Sequence, residues 1–364
     1  MSSLIVKVST VYKIEKHPNA DRLSIVTVDN ESGWSCIVGL DQYKPGDKIV
    51  YIPPDAVIPP EMIEKYNLEY LKHNGRTGTV KLRGYISQGL ILDAPEGNYK
   101  VGDDVANVFG ITKYEPPQSK YSVKGAEQIS KKKINPNFDK YTDIENIKNF
   151  NGIFTSDDTV VITEKIHGAN SRFGNLEIHI NKKQPFFELL QNLFDKYILR
   201  KTHQFVYGSH NVQITGHSNR NSYYGEDVWG KIAEKYNLAE VISPDHIVYG
   251  EVYGEGIQDL TYGIKGIDLV VFDIKFKDKY LPWVAVKYLC DIWHLKTVPQ
   301  LYEGKYSDDL LSMTVGNSVL CPTQMREGIV IKMLYEANNP RIGRKILKSI
   351  STEYLARKNG TEYQ

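Results

Sequence analysis

The sequence predicts an α+β protein in two parts: a small closed β-barrel, then a larger domain of antiparallel sheets flanked by helices. Three observations carry this reading. The chain has 364 residues, long enough for two domains and too long for one ordinary core. Residues 1–115 hold short apolar runs broken by turn signals, with few helical stretches. From residue 137 onward, strand-like runs alternate with segments whose apolar residues recur every three or four positions.

The elements follow in order. LIVKVSTVYKI, LSIVTVD, SCIVGL, KIVYIP and GLIL have strand lengths and alternating or clustered apolar residues. His17-Pro18-Asn19, Asp29-Asn30, Lys44-Pro45-Gly46 and Pro95-Glu96-Gly97 separate them as turns. Residues 116–136, with Pro116-Pro117 and the run Lys131-Lys132-Lys133, read as a linker; a phosphate contact is the alternative use of that run. TVVITEKI, LEIHI, HIVYGEVYG, DLVVFDIKF, REGIVIKML and KILKSI read as strands of the second domain, 137–364. FFELLQNLFDKYIL, EDVWGKIAEKYNLAEVI and AVKYLCDIWHL read as helices with packing stripes. No repeat of 20–50 residues is found, which excludes a solenoid or propeller.

Composition narrows the function classes. Hydrophobic residues at 41% and charged ones at 24% exclude disorder. A net charge of +1, from 45 basic and 44 acidic residues, excludes nucleic-acid binding through an overall positive field but leaves room for a local basic groove. No apolar run approaches the roughly 20 residues of a membrane helix, and the first residues lack a signal-peptide core. Cys36, Cys290 and Cys321 lie far apart without a CxxC pair, so neither a disulfide framework nor a cysteine-rich zinc site is expected. A soluble cytoplasmic protein is expected.

In the first part, His17-Pro18-Asn19-Ala20-Asp21-Arg22-Leu23 falls between two strands. Its local chemistry is that of a rigid turn with Leu23 buried. The heptad, with Gly39 and Lys44-Pro45-Gly46-Asp47 after it, resembles the tRNA-binding type of OB domain found in synthetase-associated proteins. That resemblance implies an OB-fold barrel receiving nucleic acid on one face by stacking and electrostatics. A purely structural barrel is the alternative. Tyr12, Lys13, Trp34 and Arg76 are candidate contacts.

In the second part, Lys165 ends the apolar strand VVIT within Thr163-Glu164-Lys165-Ile166-His167-Gly168-Ala169-Asn170. Taken singly, such a lysine is structural. Four further elements follow it: Tyr249-Gly250-Glu251, ending a strand, then Gly254-Glu255-Gly256-Ile257-Gln258; the strand Asp268 to Asp273 containing Phe272; Glu327 and Lys332 at opposite ends of one strand; and Arg344-Lys345 with Lys348 on a late strand. A lysine amine, carboxylates, an aromatic and further lysines together suggest nucleotidyl transfer: attack on an α-phosphate, Mg²⁺ and ribose held by carboxylates, base stacking, and charge neutralisation.

This ordered set resembles the covalent nucleotidyltransferase superfamily of ATP-dependent ligases and capping enzymes. His167 replaces the Asp of the KxDG pattern, as in the phage-type RNA ligase 2 family, and LRGYISQGL before it is similar to the OB-bearing, Deinococcus-type branch. The resemblance covers residues 137–364 and implies an ATP-grasp-like ligase (adenylyltransferase) domain that joins RNA 3′-OH and 5′-phosphate ends at nicks. It implies ATP and Mg²⁺ or Mn²⁺ as cofactors, with AMP carried covalently on Lys165. Glu164, Ile166, Gly168, Glu251, Phe272, Glu327, Lys332 and Lys348 would line the nucleotide site, with Glu251 and Glu327 on the metal through water. Lys332 and Lys348 would neutralise phosphate, and His167 and Asn170 would act after Lys165 is adenylated. Two departures from the family pattern stand out. Ile346 occupies a position where relatives carry lysine, for which Lys345 or Arg344 would substitute, and His210 stands where relatives often carry arginine.

The sequence ends soon after the last motif, so the OB domain is expected to grip a nicked duplex with an RNA 3′-OH strand, in a monomer. A GTP-using capping guanylyltransferase and a non-catalytic nucleic-acid platform are the rivals. Labelling by GTP would mark the first. Binding that survives loss of Lys165, with no joining activity to lose, would mark the second.

Overall fold

The computed structural model describes residues 4–30, 32–71, 74–114, 135–180, 186–214 and 226–357. The linker expected at 116–136 lies outside them but for its last two residues. The chain divides into two compact units: Met1–Pro116 with Asp143–Thr155 and Leu347–Gln364, and Pro117–Thr142 with Ser156–Ile346.

In the first unit, five antiparallel strands curl into an OB-like sheet. Their order is Trp34–Gly39, Leu23–Val28, Lys7–Lys16, Lys48–Ile52, Leu90–Asp93. Leu23–Val28 alternates buried and half-buried residues, the period a one-sided strand requires, and Lys7–Lys16 bends at an irregularity between Val11 and Lys13. The expected closed barrel is a curled sheet. Its free edge is held by the Tyr85–Gln88 strand: Ile37 N–H donates to the Ser87 side chain at Oγ, 3.0 Å, and Cys36 Sγ–H donates to the Gln88 backbone carbonyl at 3.1 Å.

The heptad is a turn, but His17 is its anchor. His17 is 1% exposed, whereas Leu23 is half-buried. Asn19 N–H donates to His17 Nδ1 at 3.0 Å, which leaves Nε2–H to donate to the Leu82 carbonyl at 3.2 Å. The same unit pairs Glu145–Asn146 in parallel with Ile346–Ile350.

The second unit carries a six-stranded antiparallel sheet ordered Gln213–Ile214, His203–Ser209, Ala169–Glu177, His246–Gly254, Ile267–Phe276, Lys279–Tyr280. In a second layer, Thr159–Lys165 lies between Gln300–Lys305 and Gly328–Met333, antiparallel to both. One core joins the layers: Val161 and Ile166 pack with Phe173, Val248 and Val270, and with Trp229, Ile232, Trp283 and Val286 from two helices. Those helices are Val228–Lys235, capped by Asp227 Oδ1 on Gly230 N–H at 2.8 Å, and Trp283–Ile292.

Several elements differ from expectation. The helix expected over 226–242 breaks at Asn237, whose φ of 48° is left-handed, into Val228–Lys235 and Leu238–Val241. The strand bearing Glu251 is the whole HIVYGEVYG run, so Glu251 lies within it and not at its end. His203–Ser209 and Gln300–Lys305 are strands that the sequence pattern did not reveal, since each mixes polar residues into a half-buried face.

Candidate active site

Lys165 is the last residue of its strand, opposite Gly328, and three residues, Ile166, His167 and Gly168, carry the chain from there into the other sheet. This register sets Glu327 just past the ladder end, where Lys165 Nζ donates to Glu327 Oε1. The lysine side chain is 29% exposed and the glutamate 2%. Ile166, 4% exposed, plugs the turn into the core.

His167 is buried. Its backbone N–H donates to Tyr262 Oη at 2.6 Å, its ring Nε2 lies 2.7 Å from Asp259 Oδ1, and its Nδ1 lies 3.9 Å from Glu327 Oε2. Burial lowers its pKa, and the carboxylates of Glu327 and Asp259 oppose that effect.

Gly168 passes so close to the neighbouring strand that a Cβ there would lie 2.3 Å from the Val252 carbonyl oxygen. Its N–H reaches the Glu251 carboxyl. The next register pairs are Ala169 with Val252 and Asn170 with Glu251, so Glu251 is brought to the same turn. Burial pushes the Glu251 carboxyl up to about 8, with Lys165 opposing and Glu327 adding to the shift. Lys165, His167, Gly168, Asn170, Glu251 and Glu327 therefore gather where the two sheets meet.

Three buried acceptors at this turn have no donor: Glu327 Oε2, Asn170 Oδ1 and Glu164 Oε1. Glu164 is 1% exposed, and its Oε2 accepts from Val319 N–H at 2.8 Å. Burial raises its pKa, while Ser318 and Val319 lower it. No group of three or more His, Cys, Asp or Glu poised for direct chelation occurs among the described residues. Two carboxylates with orphaned acceptors beside them suit a divalent cation held through its own waters.

The other expected residues have their own surroundings. Phe272 is half-buried, edge-on to Tyr141 at 4.8 Å. Lys332 pairs in register with Val161, four residues along the strand from Gly328. Its Nζ donates to the Phe272 carbonyl at 3.0 Å, lies 3.5 Å from Asp273 and 4.5 Å from the Trp283 ring centre, and burial lowers its pKa. Arg344 is committed to Asp273 (2.7 Å), Glu336 and the Tyr141 hydroxyl, and Lys345 to Asp158 at 2.7 Å. Lys348 belongs to the first unit, in register with Asn146, and lines a groove there with Trp34, Lys113 and Glu145. His210 follows the strand His203–Ser209 and is half-buried.

Of the candidate OB contacts, Tyr12 is 54% exposed and Lys13 pairs with Glu15 at 3.0 Å. Trp34 is buried against Tyr51 with Lys148 over its ring, and Arg76 is paired with Asp55 over Tyr114, so both pack the unit. Asp259, Tyr262 and Trp229, whose Nε1 donates to the Asn170 carbonyl at 3.2 Å, join the site without having been anticipated. Asp259 and Tyr262 sit in an irregular loop with no periodic signal to mark them.

A family model described as RNA ligase matches residues 158–350, and an OB-fold domain model matches residues 5–94. Among solved structures, a mutant of Naegleria gruberi RNA ligase with AMP and Mn is 24% identical, with a TM-score of 0.70 over 97% of this chain and 98% of that one. Another mutant, with ATP and Mn, gives 0.68 over 96% and 98%, and Naegleria gruberi RNA ligase with PPi gives 0.68 over 97% and 98%. These likenesses are of fold. A curated relative, the phenylalanine–tRNA ligase beta subunit of Cupriavidus pinatubonensis, is 36% identical over 113 residues, 30% of this chain and 13% of that subunit's length. Among the described residues, no helix is long and apolar enough to cross a membrane.

Proposed function

Because the chain belongs to the RNA ligase family, we propose that it is an ATP-dependent ligase acting in three transfers through Lys165. Lys165 Nζ attacks the α-phosphate of ATP; the phosphorus–nitrogen bond forms, the bond to the β-phosphate oxygen breaks, and pyrophosphate leaves. A 5′-phosphate oxygen then displaces the lysine to give AppN. An RNA 3′-OH attacks that end, and AMP leaves as the phosphodiester closes. The observation that carries the reading is the contact of Lys165 with Glu327 at a turn that also holds Glu251, His167 and Asn170.

A hydrated Mg²⁺ or Mn²⁺ at Glu251 and Glu327 would offset phosphate charge. The Glu327 carboxylate holds Lys165 as a donor in the resting site, so productive attack requires that contact to loosen. Phe272 would stack on adenine, with Glu164, Ile166 and Gly168 shaping the pocket beside it. The contacts of Lys332 favour a part in holding the strand of Phe272 over contact with phosphate. Lys348 is assigned to phosphate, and His167 and Asn170 to the second and third transfers.

The finer assignment is to the phage RNA ligase 2-like, Deinococcus-type branch, sealing nicks in RNA-containing duplexes as a cytoplasmic monomer. Residues 1–115 would serve as the nucleic-acid-binding domain and 137–364 as the adenylyltransferase domain. Buried Cys36 and Cys290, their thiols pushed up to about 12 by burial, suit a reducing compartment. The test is to mix the protein with Mg²⁺ and α-labelled ATP or GTP and run a denaturing gel. Label from ATP alone, lost in Lys165→Ala, is expected. No label on pyrophosphate-stripped protein refutes the mechanism, and label from GTP moves the protein to the capping enzymes.

A further inference from the structure

The loop after the His246–Gly254 strand grips the Lys165–Gly168 turn at three points. Gln258 Nε2 donates to the Gly168 carbonyl at 3.4 Å, Asp259 Oδ1 meets His167 Nε2 at 2.7 Å, and Tyr262 Oη accepts the His167 backbone N–H at 2.6 Å. Tyr262 holds a φ of 54°, a conformation bulky residues rarely adopt. It is kept there by Gln324 Oε1, which accepts its N–H at 2.8 Å, and by edge-on packing on Tyr253 at 5.4 Å. A strained residue so braced marks a loop whose shape is set for the sake of the turn it holds.

We infer that Asp259 is a positioning residue for His167, fixing the ring so that Nε2–H points to the Asp259 carboxylate and Nδ1 faces the Glu327 side of the site. A histidine side chain turns about two torsions, both of which move the ring nitrogens, and a short bond at Nε2 together with burial of the ring restricts them. With Nε2 as donor, Nδ1 is an acceptor 3.9 Å from Glu327 Oε2, beside the carboxylate that Lys165 contacts. The inference rests on the assignment of His167 to the transfers that follow lysine adenylation. Misplacing a reacting group by ~1 Å costs on the order of 100-fold in rate, so Asp259 governs those transfers while touching no substrate.

The experiment separates the steps. Lysyl-AMP formation is read with labelled ATP, and sealing with a nicked duplex already carrying AppN, in wild type, His167→Ala, Asp259→Ala, Asp259→Asn and the variant with both alanines. Asp259→Ala is expected to label within about threefold of wild type and to seal about 10–100-fold more slowly. Asp259→Asn, whose amide oxygen still accepts Nε2–H, is expected to restore most of the sealing. On the His167→Ala background, Asp259→Ala should cost nothing further, because the group it positions is gone. Wild-type sealing by Asp259→Ala, or an equal additional loss on the His167→Ala background, overturns the inference; the latter is what a merely structural aspartate gives. Asp259→Ser runs the same cycle should the alanine variant melt below the assay temperature. A wild-type protein that takes no label refutes the ligase reading itself. Labelling with full sealing by His167→Ala removes the role of His167, and with it that of Asp259, while leaving Lys165 in place.

Discussion

Replacing Gly168 by alanine tests whether the turn is built by steric approach. The φ of Gly168 is not in the left-handed region, so an alanine there meets no backbone strain; what it meets is the next strand. Its Cβ would stand 2.3 Å from the Val252 oxygen, 3.1 Å from the Val252 carbonyl carbon and 2.9 Å from Glu251 Cγ. Two of these neighbours are backbone, which cannot rotate aside. The ladder end must open by about 1 Å, loosening the Ala169–Val252 pair and the N–H that Gly168 gives to Glu251. Overpacking costs about 1–3 kcal/mol and each lost hydrogen bond about 1 kcal/mol, so about 2–5 kcal/mol is expected. For a domain of this size that lowers Tm by roughly 5–15 °C. Thermal melts without nucleotide read this directly, and Gly78→Ala, where a Cβ meets nothing within 4 Å, is the control and should melt with wild type. Labelling by ATP should fall with the displaced Glu251. A Gly168→Ala protein that melts and labels as wild type would refute the steric argument and leave the glycine explained only by contact with a ligand.

Two further outcomes are expected from the buried charges. Asp273, 0% exposed, neutralises Lys332 and Arg344 and accepts from the Tyr141 hydroxyl at 2.8 Å; Asp273→Ala strands the buried Lys332, leaves Arg344 paired with Glu336 alone, and should cost about 3–5 kcal/mol in chemical denaturation, more than Lys332→Met, which leaves the Arg344 pairs intact. The Glu251 carboxyl, raised from 4.5 to about 8, binds its proton more tightly in the folded chain, so folding stability should fall as pH rises through that window. Melts from pH 5 to 9 should show this slope in wild type and a shallower one in Glu251→Gln, which should be the more stable of the two above pH 8; parallel curves would contradict the burial assigned to Glu251.

The strands were legible wherever burial is one-sided or complete, because alternation and continuous apolar runs are then forced. Leu23–Val28 and Thr159–Lys165 are such cases. His203–Ser209 escaped because its burial is partial along most of its length. Lys165 and Glu327 could be named from the ordered set of elements and the family it resembles, since a single lysine or glutamate at a strand end carries no such signal. Trp34 misled because an aromatic at a strand start looks available for stacking, and only the packing of Tyr51 and Lys148 shows that it is covered. The surroundings of Lys332 were hidden in a similar way: alternation gives the face on which its side chain lies, but not that Asp273 waits there. Asp259 lies 92 residues from His167, and no local pattern announces a contact closed by a loop.

The orphaned acceptors give the site its chemical sign. Among the described residues, five buried side-chain atoms lack a partner, and three of them, on Glu164, Asn170 and Glu327, crowd one turn. All three are acceptors. Phosphate oxygens cannot satisfy them, whereas cation-bound water, ribose hydroxyls and an adenine amino group can; under the proposed ligase function, this is the side the nucleoside and a hydrated metal would take. Each orphan costs the ligand-free protein about 1–3 kcal/mol. Asn170→Leu removes one orphan at nearly constant volume, and is therefore expected to raise the ligand-free Tm by a few degrees while slowing AMP transfer. Stabilisation together with lost transfer is the signature of a residue kept for function at the expense of folding. If Asn170→Leu instead lowers Tm and retains transfer, the Asn170 acceptor serves the fold, and the donor-seeking character of the turn reduces to Glu164 and Glu327.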